Sequence, residues 1–422
     1  MDATVSERTL VLDTSPLRRH RDYRYLFAGQ LVSALGSSVT YVALPVQIYT
    51  LTGSSAAVGL LGAVQLVPVA LTALWGGAVA DAIDRRRLLQ WAEALLFVGS
   101  ALLAANASLP HPSLVVLFVV AGFMSAVSGF HTPALESLTP LLVEVDDLPA
   151  VSALTSLRGT VASVAGPSFA GLCIASLGLP FTFGLDALTF AVSLVVLSRI
   201  RSIPPADDAQ PAGLATVLQG LAYAASRPEL IGTYVVDMVA ITFAMPTAVF
   251  PALGAQWGGA RAVGYLYSAL SAGAFAMTLL SGWTRNVRRR GAAVVLAAAA
   301  WGVAIAMLGA ARTLPAAIGC LALAGGADMI SGLFRMTIWN ETIPSRLRGR
   351  TAGIEQLSYM TGPLLGNARA GFMAERFGLA RSIAWGGLLC VAGVAACVPV
   401  LPAFWRYRTP QGARPEGESM GA

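Results

Sequence analysis

Twelve stretches of this chain, each about twenty residues long, consist almost wholly of apolar side chains. They run approximately over 25–49, 56–80, 88–108, 114–136, 150–176, 180–199, 229–253, 261–283, 292–311, 315–340, 351–374 and 380–404. A helix needs roughly 20 apolar residues to cross about 30 Å of hydrocarbon, so each stretch predicts one transmembrane helix. Composition closes off the soluble alternative. The 422 residues are 56% hydrophobic and only 12% charged, against roughly 25% charged in soluble domains. The expected fold class is therefore all-α and integral to the membrane, with about 12 transmembrane helices.

Arginine placement orients the helices, because cytoplasmic connections of membrane proteins are enriched in basic residues. All 28 basic residues are Arg. Arg8, Arg18, Arg19, Arg21, Arg24, Arg85 to Arg87, Arg199, Arg201, Arg227, Arg285, Arg288 to Arg290, Arg346, Arg348, Arg350, Arg406, Arg408 and Arg414 fall on one side. Only Arg261, Arg312, Arg376 and Arg381 fall on the other. Both termini are expected in the cytoplasm, with the chain in the plasma (inner) membrane. Clusters separated by apolar spans match membrane topology and not a nucleic-acid-binding face, so no nucleic-acid partner is expected despite a net charge of +6. The first residues hold no apolar run of secretory-signal length and read as a tail. Cys173, Cys320, Cys390 and Cys397 sit inside apolar segments and read as small hydrophobes.

The longest connection divides the chain near its middle. The expected organisation is a tail over 1–24, a six-helix bundle over 25–199, a linker over 200–228, a second bundle over 229–404 and a tail over 405–422. Leu214 to Ala225 within the linker reads as a short amphipathic helix on the membrane surface. A shift of 205 residues lays Ala57-Val58-Gly59 on Ala262-Val263-Gly264, Gly77 on Gly282, Asp81 on Asn286 and Arg85 on Arg290. A shift of 196 lays Gly166-Pro167 on Gly362-Pro363. Ordered matches of this kind mark an internal repeat, and paired repeats around a midplane site are a transporter architecture.

The loop Gly77-Ala78-Val79-Ala80-Asp81-Ala82-Ile83-Asp84-Arg85-Arg86-Arg87 resembles the cytoplasmic signature of the major facilitator superfamily at Gly77, Asp81, Arg85 and Arg86. Ala82 and Asp84 replace the usual Arg and second Gly. The resemblance implies two pseudo-symmetric six-helix bundles and a cytoplasmic gate at those four residues. Gly159 followed by Gly166-Pro167-Ser168-Phe169-Ala170-Gly171 resembles the helix 5 motif of proton-coupled exporters, with Gly159, Gly166, Pro167 and Gly171 as its positions. Leu44-Pro45-Val46-Gln47-Ile48, Ala57-Val58-Gly59-Leu60 and Phe250-Pro251-Ala252-Leu253 are similar to the enterobactin-exporter branch of the drug–proton antiporters.

Ionisable groups inside a membrane cost about 2.5–3.5 kcal/mol or more and are functional candidates by default. Asp237 and Asp328 are the leading proton-coupling candidates. Asp328, Ser331 and Arg335 share one helical face, so Arg335 is expected to pair with an aspartate. Glu136 is a further proton candidate and a partner for Arg158, which alternatively attracts an anionic substrate. Asp186 is expected at a solvated helix end. Glu93 and Glu355 are expected at the inner gate, and His131 as a hydrogen-bonded packing residue. Ser37, Tyr41 and Gln47 on the first helix, with Phe243, Phe334 and Trp339, are expected to line the cavity.

The resulting expectation is a monomeric secondary transporter, not an enzyme. It would expel a small organic molecule, a siderophore-like product or a drug, by alternating access. The proton gradient would drive it, and no cofactor or metal is expected. A nutrient importer of the same fold, or a non-transporting receptor or scaffold, stands as the alternative.

Overall fold

The computed structural model describes residues 13–203 and 222–408, apart from the side chains of residues 74, 77, 78, 80, 81, 345–358 and 360. Gly77, the Asp81 carboxylate, Glu355 and most of the amphipathic segment at 214–225 thus lie outside the described set. The described residues form helices α1 (Arg21–Thr52), α2 (Ser55–Ala82), α3 (Arg85–Ala107) and α4 (Leu114–Leu138). The helical run Leu148–Leu197 then breaks at Gly178, whose φ of 82° and ψ of 170° lie outside helical space. Glycine tolerates that conformation because it has no Cβ. The break yields α5 (148–177) and α6 (179–197). The second half comprises α7 (Pro228–Trp257), α8 (Ala260–Leu279), α9 (Arg290–Ala310), α10 (Leu314–Thr342), α11 (Ser345–Phe377) and α12 (Leu379–Val400).

Polar residues punctuate these helices where the chain turns. Ser54, Asp84, Ser113 and Thr313 each accept a backbone N–H in the first turn of α2, α3, α4 and α10. These caps satisfy donors that have no partner inside the helix. Large apolar side chains point outward, among them Val115, Trp91 and Leu279. Lipid covers such a surface, while the helices satisfy their own backbone groups.

Alternating helix direction puts residues 13 and 408 on one face together with Arg85–Arg87, Arg199, Arg201 and Arg285, hereafter the basic side. Ion pairs tie that face locally. Arg19 and His20 converge on Asp147, at 3.5 and 2.7 Å. Arg290 pairs with Glu341, which also accepts from Tyr407 at 3.2 Å. Arg86 donates to the carbonyls of Leu197 and Ser198 at the end of α6, so it clamps the first half to itself.

Helix α7 is not continuous. A 3₁₀ turn, Thr247–Val249, interrupts it between Pro228–Ala244 and Phe250–Trp257. Pro246 has no N–H, so the carbonyl of Thr242 loses its usual helical donor. Arg369 on α11 donates to that carbonyl at 3.3 Å. Two residues earlier on α11, Asn367 accepts from the Thr247 hydroxyl at 2.6 Å and the Ala248 N–H at 3.0 Å. The break is thus rebuilt with side chains from α11. Asn367→Ala strands a backbone donor, which costs about 1–3 kcal/mol. The expected result is a lower thermal unfolding midpoint in detergent, and an unchanged midpoint would show that the brace bears no load.

Candidate functional site

The two halves meet through glycines. A Cβ added at Gly59 on α2 would lie 3.0 Å from the Gly371 Cα on α11. One added at Gly264 on α8 would lie 2.5 Å from the Pro167 carbonyl and 3.1 Å from the Gly171 Cα on α5. Gly59 and Gly264 are equivalent under the 205-residue shift, so the two crossings are repeats of each other. Small residues permit this backbone approach, which supplies van der Waals contact in place of side-chain interlocking. Ser168 and Ser268 exchange a hydrogen bond beside the second crossing at 2.8 Å. Around it Val39, Val42 and Val46 of α1 pack in one cluster with Phe250, Leu253, Val263 and Leu266. These contacts lie near the ends of α1 and α7 and the starts of α2 and α8. The seal therefore occupies the side opposite the basic one.

Gly166 packs against Ser38 of α1, whereas a Cβ at Gly159 would meet nothing within 4 Å. Gly159 is therefore not a packing glycine; it faces open space near the basic side.

Below the seal lies a cavity of two lobes. The central lobe, about 410 Å³, is lined from both halves by Ser37, Tyr41, Gln65, Asp186, Thr247, Tyr267, Tyr359 and Asn367. The Tyr41 ring, exposed to this space, meets Tyr267 edge-on at 5.2 Å. The second lobe, about 590 Å³, is walled by the first half toward the basic side, with Ser37, His131, Glu136 and Arg158 among its residues. Both lobes share Ser37, Leu96, Ser128 and Phe190, so they adjoin. Their sizes fall in the range of roughly 300–1,000 Å³ usual for small-molecule sites.

Four expected lining residues lie elsewhere. Trp339 is buried at the basic end of α10, where it stacks on Tyr234 and donates to Thr233 at 2.9 Å. Phe334 is buried in the second-half core against Trp283. Phe243 turns toward Gly393 on α12. Gln47 is buried in the upper part of α1 and borders neither lobe. Helical periodicity showed that these residues interrupt or enrich an apolar span, but not which neighbour each face meets. Conversely, Thr247, Tyr267 and Asn367 were not singled out. A lone Asn amid apolar residues was the available signal for Asn367.

The charged groups sort into three arrangements. Arg335 is buried and pairs closely with Asp237. It lies 3.9 Å from Asp328, whose side chain is half exposed, and its guanidinium stands 5.6 Å from the Tyr359 ring. Asp186 is wholly buried, not at a solvated end. Thr40 and Ser100 donate to it at 2.5 and 2.7 Å. Glu93 is likewise wholly buried and accepts from Gln30 at 2.7 Å, with His131 at 3.1 Å. His131 therefore binds a carboxylate besides lining a lobe. Glu136 and Arg158 both face the basic-side lobe, but no ion pair joins them among the described residues. This corrects their expected pairing: both side chains border the lobe instead.

A helical bundle in two halves, closed about a polar cavity and sealed on the side opposite the basic one, defines a membrane transporter, not an enzyme. The chain belongs to the family described as Transmembrane secretion effector, which it matches over residues 13–407, within the major facilitator superfamily. It is similar to the enterobactin exporter EntS of Escherichia coli K12, at 27% identity over 410 residues, covering 96% of this chain and 99% of that protein. Similarity to EntS of Shigella boydii serotype 18 is 27% over 406 residues, covering 96% and 97%. Among solved structures, a POT family transporter in complex with 5-aminolevulinic acid shares the fold with a TM-score of 0.72 at 12% identity, covering 91% and 97%. A bacterial homolog of the human lysosomal transporter Spinster, inward-facing and unoccupied, gives 0.69 at 16%, covering 93% and 97%. The chain is an integral inner-membrane protein.

Removing one member of a buried ion pair costs about 3–5 kcal/mol, because the other charge stays uncompensated. Arg335→Gln is therefore expected to lower the unfolding midpoint more than the double variant Asp237→Asn with Arg335→Gln. Equal losses would show that the pair is not coupled. At the seal, Gly264→Val forces α5 and α8 apart. A cysteine placed at Ser268 should then react faster with a soluble thiol reagent than the same cysteine beside Gly264; equal rates would show that the crossing does not exclude water.

Proposed function

We propose that the chain exports a small organic molecule from the cytoplasm in exchange for protons, by alternating access of the two-lobed cavity. The observation that carries this reading is the cavity itself. It is sealed opposite the basic side and carries Arg158 and Glu136 in its basic-side lobe, neither of them in an ion pair among the described residues. The excess of Arg on the basic side supports a cytoplasmic location for that face and for both termini. A cavity reaching toward the cytoplasm and closed outward is the loading form of an exporter.

The names of the curated relatives favour a siderophore-class substrate, and a hydrophobic drug is the other candidate. Arg158 suits an acidic or phenolic oxygen, and Tyr41 and Tyr267 offer ring surface in the central lobe. The seal is built for separation, since glycine crossings, the Ser168–Ser268 pair and the exposed Ser54–Glu375 contact leave few groups stranded when they part. In the second half we assign proton exchange to Asp328, because Arg335 is already committed to Asp237. Asp81 and Arg85 would close the cytoplasmic mouth in the opposite state. The cycle needs no cofactor, and one chain suffices for it.

Transport into inverted membrane vesicles tests this reading with a panel of catecholate siderophores and hydrophobic drugs, with and without a pH gradient. At least one compound should accumulate only with the gradient. Gradient-independent accumulation, or none for any compound, overturns it.

A further inference from the structure

The first half holds a buried carboxylate to which the transport reading above gives no task. Glu93 on α3 is fully shielded from solvent. Its Oε1 accepts from Gln30 Nε2 at 2.7 Å and lies 3.1 Å from His131 Nε2. The Ser33 hydroxyl sits 3.3 Å from both carboxylate oxygens. No arginine forms an ion pair with it among the described residues. That separates Glu93 from Asp237, whose charge a guanidinium already balances.

The three residues that hold Glu93 also line the basic-side lobe: Gln30, Ser33 and His131. One layer of polar side chains therefore lies between the carboxylate and the cavity. Such a layer can pass a proton by exchange along hydrogen bonds without admitting water to the carboxylate. Because imidazole and carboxylate each bind one proton, the pair takes a net charge of −1, 0 or +1 as it fills. A single proton leaves it neutral, whichever partner carries it, which suits a low-dielectric site.

Other charged groups around the pair are few. Helix α1 brings only the neutral Gln30 and Ser33. Helix α6 brings Asp186, which is held by Thr40 and Ser100 toward the central lobe. Glu136 on α4 and Arg158 on α5 stand on the same lobe wall. Asp186 and Glu136 are like charges that disfavour the −1 state of the pair, and Arg158 is the opposing influence.

We propose that Glu93 and His131 together form the proton-binding site of the first half, filled from the basic-side lobe. This rests on the proton-exchange reading given above and places a second site in the half that does not contain Asp328. His131 acts as the positioning and proton-passing partner, and Glu93 as the acid.

The test is infrared difference spectroscopy of the purified full-length protein in lipid, titrated with pH, followed by transport in proteoliposomes. A titrating carboxyl band should be present in the wild type, absent in Glu93→Gln and displaced in His131→Gln. Transport driven by a gradient of one pH unit should lose about tenfold accumulation in both variants, the value of one exchanged proton. Movement of the same compound down its own gradient should persist in Glu93→Gln, whose side chain is shielded from the cavity. A Glu93→Gln titration superimposable on the wild type overturns the proposal, as does full pH-driven accumulation in both variants. If Glu93→Gln does not fold, His131→Gln decides by the same two readouts. If the wild type shows no pH-driven transport, the exchange reading falls, while the spectra still decide whether the pair binds a proton.

Discussion

The structure depends on how closely two backbones approach where the halves touch. At Gly59 with Gly371, and at Gly171 with Gly264, no side chain separates the helices. Contact of this kind is attractive only through many weak terms, each of order 0.1–0.2 kcal/mol per atom pair. It is also clean: parting the helices leaves no buried charge and strands few polar groups. Within each half the opposite rule holds. Asp237 and Arg335, Glu93 and His131, and Asp186 with Thr40 and Ser100 bind helices through groups that are costly to expose unpaired. Rigid halves joined by a soft seam follow from that division.

The same division explains where charge is tolerated. A bilayer penalises an ionised side chain, so each one must be matched, hydrated by a cavity or neutralised. The second half uses matching, with one guanidinium serving two aspartates. The first half uses hydroxyl, amide and imidazole donors for Glu93 and Asp186, and leaves Arg158 and Glu136 to the cavity. The repeat is therefore a repeat of backbone and not of electrostatics. Asp81 against Asn286 already showed that asymmetry in the chain, and the buried acids extend it into the membrane.

Much of the fold was legible because membrane crossing imposes a long, one-dimensional signal. The segments and the repeat could be read from runs of apolar residues and from Gly59 matching Gly264. Site residues were less legible, because a membrane helix is apolar on its lipid face and on its packed faces alike. Trp339 and Phe334 looked like cavity aromatics and are core residues instead. Asp186 looked terminal, yet Thr40 and Ser100 reach it from two other helices. Periodicity fixes which residues share a face, but only the tertiary arrangement decides what that face meets.

Helix α11 shows how the parts are joined mechanically. Along one stretch it presents Pro363, Leu364 and Asn367 to the central lobe. Asn367 and Arg369 rebuild the broken backbone of α7, Gly371 forms the seal with Gly59, and Glu375 accepts from Ser54 at 2.8 Å. Cavity wall, hinge brace and seal thus sit within a few turns of one rigid rod. A displacement of α11 at the lobe cannot be absorbed locally, since the helix transmits it to the crossing one turn beyond Asn367. The break in α7 is the compliant partner, because its hydrogen bonds run through side chains that rotate and not through a continuous helical ladder. A cavity wall that moved would therefore carry the seal with it, and the polar brace at Thr247 and Ala248 stands at the junction between the two.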